Sequence, residues 1–278
     1  MCGFRNAIWD GGEDEEDEMT LLEGKVAIVA GVGPGMGREI ALRFARNGAD
    51  LVLGARRTER SEAVAAEVAE LGGKAEVVSL DITDEAACQA AAARAVDTFG
   101  RLDVLVNNAF HDGDFRMFEE SDPESWRQTM DVNLWGTLQM SRAVVPAMKE
   151  QGHGRIVMIN SMSAWRYMPR FGAYTISKAA LESATRMLAV ELGGHGIRVN
   201  GVHPGYIWGD SVEMYFAHMA EQRGTTPQEV YDEIAGETCL KYIPDAEQIS
   251  GSVLFFASEL SEPVTGQSLG VNAGHWLH

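Results

Sequence analysis

Cysteine is scarce in this chain of 278 residues: Cys2, Cys88 and Cys239 are the three, and no two share a spacing that suggests a disulfide framework or a zinc knuckle. No metal site is expected. Basic charge is also in deficit, and the formal net charge of −18 repels nucleic acid and anionic membrane surfaces alike, which leaves small molecules as the expected partners. No apolar stretch approaches the length of a membrane-spanning helix, and the start of the chain lacks a basic segment followed by an apolar core. A cytoplasmic protein is the expectation. Part of the negative charge lies in the run Glu13-Asp14-Glu15-Glu16-Asp17-Glu18, after Gly11-Gly12. Such a segment has too little apolar surface to offset the entropy of ordering, so residues 1–20 read as a disordered tail and 21–278 as one domain.

From Lys25 onward, short β-branched runs alternate with Ala-, Leu- and Glu-rich stretches of helical period. Strands are predicted at 26–30, 51–54, 75–79, 104–106, 155–159, 198–202 and 268–271. Several are nearly continuous apolar runs, as strands covered by helices on both faces require, so the fold class is α/β with a doubly wound, Rossmann-type parallel sheet. Glycine pairs or clusters at 72–73, 152–154 and 193–194 fall where helices should end. Residues 206–242 break this rhythm: the segment is long and rich in large apolar side chains, and it is predicted to form a helical lid before the last strand.

The first strand runs into Gly31-Val32-Gly33-Pro34-Gly35-Met36-Gly37 and then a helical stretch. A glycine-rich turn there lets backbone N–H groups and the positive end of a helix approach a pyrophosphate that side chains would block. Tyr174 and Lys178, four apart in an Ala-rich helical stretch, share one face. A phenol titrates near pH 10, and a neighbouring positive charge typically moves an acid down by ~1–3 units, so Lys178 is expected to lower the Tyr174 pKa. The strand at 155–159 ends in Asn160-Ser161-Met162-Ser163, which puts hydroxyls at the carboxyl edge of a parallel sheet, where ligands bind. Asn107-Asn108-Ala109 ends another strand, and Asn133 lies within the helical run 126–140, where an amide is a poor helix former. A local backbone hydrogen bond is the simplest use for it.

In this order the motifs resemble those of the short-chain dehydrogenase/reductase family over 22–274: the glycine turn, Asp81 after the third strand, Asn107-Asn108-Ala109, Asn133, Ser161, Tyr174 with Lys178, and Pro204-Gly205. The thirteen-residue step from Ser161 to Tyr174 is also the family's, which selects Ser161 over Ser163. The resemblance implies an oxidoreductase with Tyr174 as general acid in reduction and base in oxidation. It implies that Ser161 orients the substrate oxygen, that Lys178 also holds the ribose, and that Asn133 positions a water for proton relay. It further implies cofactor contacts from Gly31, Gly33, Gly35, Met36 and Gly37, from Asp81 and Ile82 at the adenine, and from Asn107, Asn108 and Ala109. Pro204, Gly205 and Ile207 would stand at the nicotinamide end. Three positions depart from the pattern: Ala30 and Gly209 replace threonines, and Phe110 replaces a glycine.

NAD-selective sites of this architecture carry an acid at the end of the second strand. Here Ala55 is followed by Arg56 and Arg57, two guanidiniums suited to a 2′-phosphate, so NADP is expected over NAD. Phe110, Trp165, Tyr206, Trp208, Met214 and Tyr215 are expected to wall a pocket for an apolar, cyclic or aromatic alcohol or ketone. The resembling family also implies a homotetramer built on helices at 126–149 and 174–192. Two other readings share the fold: a nucleotide-binding regulatory protein that lost the chemistry, and an epimerase or dehydratase.

Overall fold

The computed structural model describes residues 20–277, and the acidic run lies outside them. Seven strands form one parallel sheet: β1 (Val26–Ala30), β2 (Asp50–Ala55), β3 (Ala75–Ser79), β4 (Val104–Asn107), β5 (Gly154–Ile159), β6 (Ile197–Pro204) and β7 (Ser268–Val271). Their order, β3-β2-β1-β4-β5-β6-β7, reverses direction between β1 and β4. At that switch point the connections leave to opposite sides, so a crevice opens beyond the carboxyl ends of the strands. Every strand falls within two residues of its predicted span.

Strand β1 is buried along its whole length, and its side chains alternate between two cores. Ala27 and Val29 pack on the side of α1 (Met36–Arg46) and α9 (Ala246–Ala257), with Phe44, Ile249 and Val253. Val26, Ile28 and Ala30 face the side of α3 (Glu85–Phe99), α5 (Thr137–Gln151) and α6 (Gly172–Leu192), with Leu105, Met140 and Leu181. Each such Leu, Ile, Val or Phe contributes ~1.5–3 kcal/mol by leaving water. At the opposite, amino end of the sheet, the buried carboxylate of Asp103 accepts from the Val26 N–H at 2.9 Å and from Arg101 and His153.

Helix α2 (Glu59–Glu70) precedes a left-handed Gly72, and α5 ends on a left-handed Gly152, as the sequence suggests. After α6 the left-handed residue is Gly196 rather than the 193–194 pair, which continues as a 3₁₀ turn. The run predicted as one helix around Asn133 divides in three: α4 (Pro123–Met130), a π-helical turn over Asp131–Gly136, then α5. Gly136 permits that turn to press on Ile82, since a Cβ there would lie 2.8 Å from Ile82 Cγ1.

Between β6 and α9 the chain folds α7 (Asp210–Arg223) and α8 (Pro227–Glu237) onto each other around Phe216, Val230 and Ile234. Gly209, one of the three departures, begins α7 at φ +153°, a backbone that side-chain-bearing residues rarely adopt. Among the described residues no helix is long and apolar enough to cross a membrane.

Candidate active site

At the switch point the turn after β1 is tied to its neighbours by main chain. Gly31 N–H donates to the Gly54 carbonyl at 2.8 Å, and the N–H groups of Asn108 and Ala109 both donate to the Ala30 carbonyl at 2.8 Å. Asn108 Nδ2 donates to the Gly31 carbonyl at 2.6 Å. A Cβ on Gly31 would sit 2.4 Å from Ala109 N, and one on Gly37 2.5 Å from the Gly31 carbonyl oxygen, so neither position accepts a side chain. Gly33 and Gly35 differ, because a Cβ on either would meet nothing within 4 Å. Helix α1 starts beside that open space without a side-chain cap, and while the Arg38 N–H donates to the Gly35 carbonyl at 3.0 Å, the N–H groups of Met36 and Gly37 are available to an anion.

Several residues read as cofactor contacts have their side chains elsewhere. Met36 and Ile82 are buried in the two cores. Asn107 turns inward, donating to Ser141 Oγ at 3.0 Å and Met158 Sδ at 3.2 Å, and thereby ties β4 to α5 and β5. Ile207 packs partly buried against the α1/α9 core. Asp81 accepts from Thr83 N–H at 2.9 Å and Thr83 Oγ1 at 2.7 Å; these bonds first, and the charge of Arg56 as a lesser cause, hold its carboxyl below the usual range. Arg56 and Arg57 are exposed just past β2 and have no ion pair among the described residues.

Ser161, Tyr174 and Lys178 come together at the carboxyl ends of β5 and β6. Ser161 follows β5 and starts a 3₁₀ turn, its Oγ accepting from Ser163 N–H at 3.1 Å. Tyr174 follows on α6, and its phenol faces the same cavity as that hydroxyl. One turn along α6, Lys178 Nζ donates to the Ile159 carbonyl at 2.8 Å and stands 5.6 Å from the centroid of the Tyr174 ring. Burial pushes the Tyr174 phenol up to about 12, opposed by the Ser161 hydroxyl and with help from the Asp112 charge. Burial also brings the Lys178 ammonium down to about 8, opposed by Asp112. The expected lowering of Tyr174 by Lys178 is therefore reversed here: desolvation of the phenol outweighs a cation that is itself desolvated and turned to a carbonyl.

Asn133 does not face this group. Its Oδ1 accepts from the His111 N–H at 2.7 Å, and its Nδ2 donates to the His111 carbonyl and to Ser177 Oγ, each at 2.9 Å. Its amide hydrogens are thus both in use, and the side chain clamps the loop that follows β4.

A cavity of about 150 Å³ opens beside Ser161 and Tyr174, walled by Phe115, Met162, Met168, Phe171, Gly205 and Tyr206, with Ser163 and Asp112. Of the six side chains predicted to form it, Tyr206 alone does so. Trp165 stacks on His203 at 4.1 Å and donates to Glu182 at 2.8 Å. Trp208 packs against Tyr231 inside the α7/α8 layer, Tyr215 lies behind Tyr206, and Phe110 and Met214 are exposed. Chain position alone suggested these residues, and the loops turn them away. Asp112, Phe115, Met168 and Phe171 were missed. The first two follow a strand end at the binding edge, and the others lie in the loop joining Ser161 to Tyr174, so topology was the signal available for them.

A tyrosine–lysine pair beside an uncapped helix at the switch point of a doubly wound sheet defines a dinucleotide-dependent oxidoreductase as a class. Comparison with known proteins gives the family. A family model described as enoyl-(acyl carrier protein) reductase matches residues 31–275. Short-chain reductase protein NovJ of Streptomyces niveus is 35% identical over 261 residues, which cover 94% of this chain and 97% of that protein. The 7α-hydroxysteroid dehydrogenase of Escherichia coli (strain K12) is 33% identical over 253 residues, covering 91% and 94%. The solved structure of carveol dehydrogenase from Mycobacterium avium in complex with NAD matches at a TM-score of 0.86 and 30% identity, covering 92% of this chain and 98% of that one. The chain belongs to the short-chain dehydrogenase/reductase family and is an oxidoreductase. Its residues fit a nicotinamide dinucleotide: the open space at Gly33 and Gly35 before α1 suits a pyrophosphate, and the ends of β1 and β4 border the same crevice.

Proposed function

We propose that this chain interconverts a secondary alcohol and a ketone, using NADP(H) and acting on an apolar, cyclic or aromatic substrate. The observation that carries this reading is that Ser161 and Tyr174 line one cavity walled by aromatic and methionine side chains, with Lys178 one turn along α6 from the phenol. The glycine turn and α1 would hold the pyrophosphate, Lys178 the ribose, and Pro204-Gly205 the nicotinamide end; the dinucleotide supplies the hydride or takes it up. The protein's part is orientation and proton transfer. With its pKa raised, Tyr174 keeps its proton at neutral pH and can give it to a substrate oxygen as charge develops there, while Ser161 holds that oxygen in place.

Local charge supports NADP: the end of β2 offers two arginines and no carboxylate. The helical layer of α7 and α8 acts as the lid, since Tyr206 joins it to the cavity wall. A cytoplasmic homotetramer fits the sparse cysteines and the exposed apolar side chains Ile176, Met187 and Val190 on α6 and Trp135 before α5. The test is a panel of carbonyl compounds and alcohols with the purified protein, following NADPH consumption and NADP reduction. Turnover of cyclic or aryl ketones is expected. Higher catalytic efficiency on small polar ketones, or no net change in the cofactor during turnover of any compound, overturns the reading.

A further inference from the structure

We propose that Asp112 is the substrate anchor of this site, and that the substrate is a carbonyl or carbinol compound bearing a protonated amine. The inference rests on the alcohol–ketone reading above and narrows it, adding one cationic group to a substrate whose body is cyclic or aromatic. Asp112 shares the cavity with Ser161 and Tyr174, and its carboxylate is the one formal negative charge among walls that are otherwise aromatic, thioether, hydroxyl or glycine. Its main chain is held from both sides: Asn133 clamps His111 through N–H and carbonyl, and the Gly113 N–H donates to His111 Nδ1 at 3.1 Å. The carboxylate itself has no hydrogen-bond donor and no ion pair among the described residues. Lys178, the cation of the site, gives its hydrogen bond to the Ile159 carbonyl and forms no ion pair with Asp112.

A substrate entering this cavity meets an exposed carboxylate that takes no donor from the described residues. A neutral donor gives that carboxylate a hydrogen bond alone, whereas an ammonium adds the attraction of opposite charges, which is modest at an exposed site. The rings of Phe115, Phe171 and Tyr206 add faces that attract a cation, and the net charge of −18 draws cations toward the protein.

The experiment compares two aryl ketones of one shape, a protonated dimethylaminoketone and its isostere with carbon in place of nitrogen. Dissociation constants come from tryptophan fluorescence titration of the intact protein at pH 7, so no turnover is needed. Wild type is expected to bind the amine about fivefold tighter, and Asp112→Asn and Asp112→Ala to bring the ratio to within about twofold. Equal affinity of wild type for both compounds overturns the proposal. So does an unchanged ratio in both variants, or a loss that weakens the two compounds equally. Failure of every carbonyl compound to consume NADPH would strike the alcohol–ketone reading, and the affinity ratio would still decide the role of Asp112.

Discussion

Lys178 Nζ lies 2.8 Å from the carbonyl oxygen of Ile159, the last residue of β5, and this bond fixes a buried ammonium directly under the crevice. It joins the helix that carries the phenol to the strand that delivers Ser161. Burial lowers the pKa of that ammonium to about 8, so the folded chain binds fewer protons at this site than the unfolded chain does between about 8 and 10.5. Stability from this group therefore rises with pH across that window and is lower below it.

Lys178→Met is accordingly expected to be more stable than wild type at pH 7, by up to about 3 kcal/mol at 1.36 kcal/mol per pKa unit, with the gap closing near pH 10.5. The lost bond to Ile159 reduces the gain. The same variant should lose both dinucleotide affinity and rate. Urea unfolding at pH 7 and pH 10, alongside cofactor titration, checks this; an equal stability gap at both pH values contradicts it.

Tyr174→Phe should lower turnover by about 10²–10⁴ or more, the contribution expected of a general acid, while dinucleotide affinity stays within a few-fold. The phenolic proton is needed only as charge develops on the substrate oxygen. Steady-state rates and fluorescence titration separate the two effects. Near-normal turnover in this variant removes Tyr174 from the reaction.

Arg56→Ala should weaken NADPH much more than NADH, because the guanidinium would meet the 2′-phosphate that only NADPH carries. Ala55→Asp should exclude NADPH by placing like charges together. Dissociation constants for both cofactors in the three proteins provide the check. Equal weakening of both cofactors by Arg56→Ala, or a wild-type preference for NADH, counts against the assignment.

Asp103 predicts acid lability. Burial favours the neutral acid, but Arg101, the Val26 N–H and His153 outweigh it and hold the carboxyl below its ordinary 3.8. A depressed carboxyl contributes stability that is full above the unfolded-state pKa and is lost as pH falls through the folded one. Asp103→Ala should cost about 1–3 kcal/mol at pH 7 from the stranded Val26 N–H alone, with a smaller difference at pH 2.5. Denaturant midpoints at the two pH values test it; a pH-independent difference would place the effect in packing instead.

The chain's own pattern determined the sheet, the glycine turn and the set of chemistry-bearing residues, because each depends on local periodicity or on a turn that only glycine can make. Doubly buried strands must be apolar runs, so β1 and β5 are visible in one dimension. Ser161, Tyr174 and Lys178 are legible for a related reason: one strand end and one helix face bring them together. What surrounds them was decided by tertiary packing. Asn133 reads as an odd amide in a helix, but a π-helical turn swings it onto His111, and Asp112 enters the cavity on the loop so clamped. Trp165 reads as a pocket wall, yet His203 and Glu182, distant in sequence, hold it away. The direction of the Tyr174 shift needed the fold as well, since the sequence supplies the neighbouring cation but burial supplies the larger, opposing effect. Loop course and desolvation are sums over contacts from many parts of the chain, and no local spacing carries them.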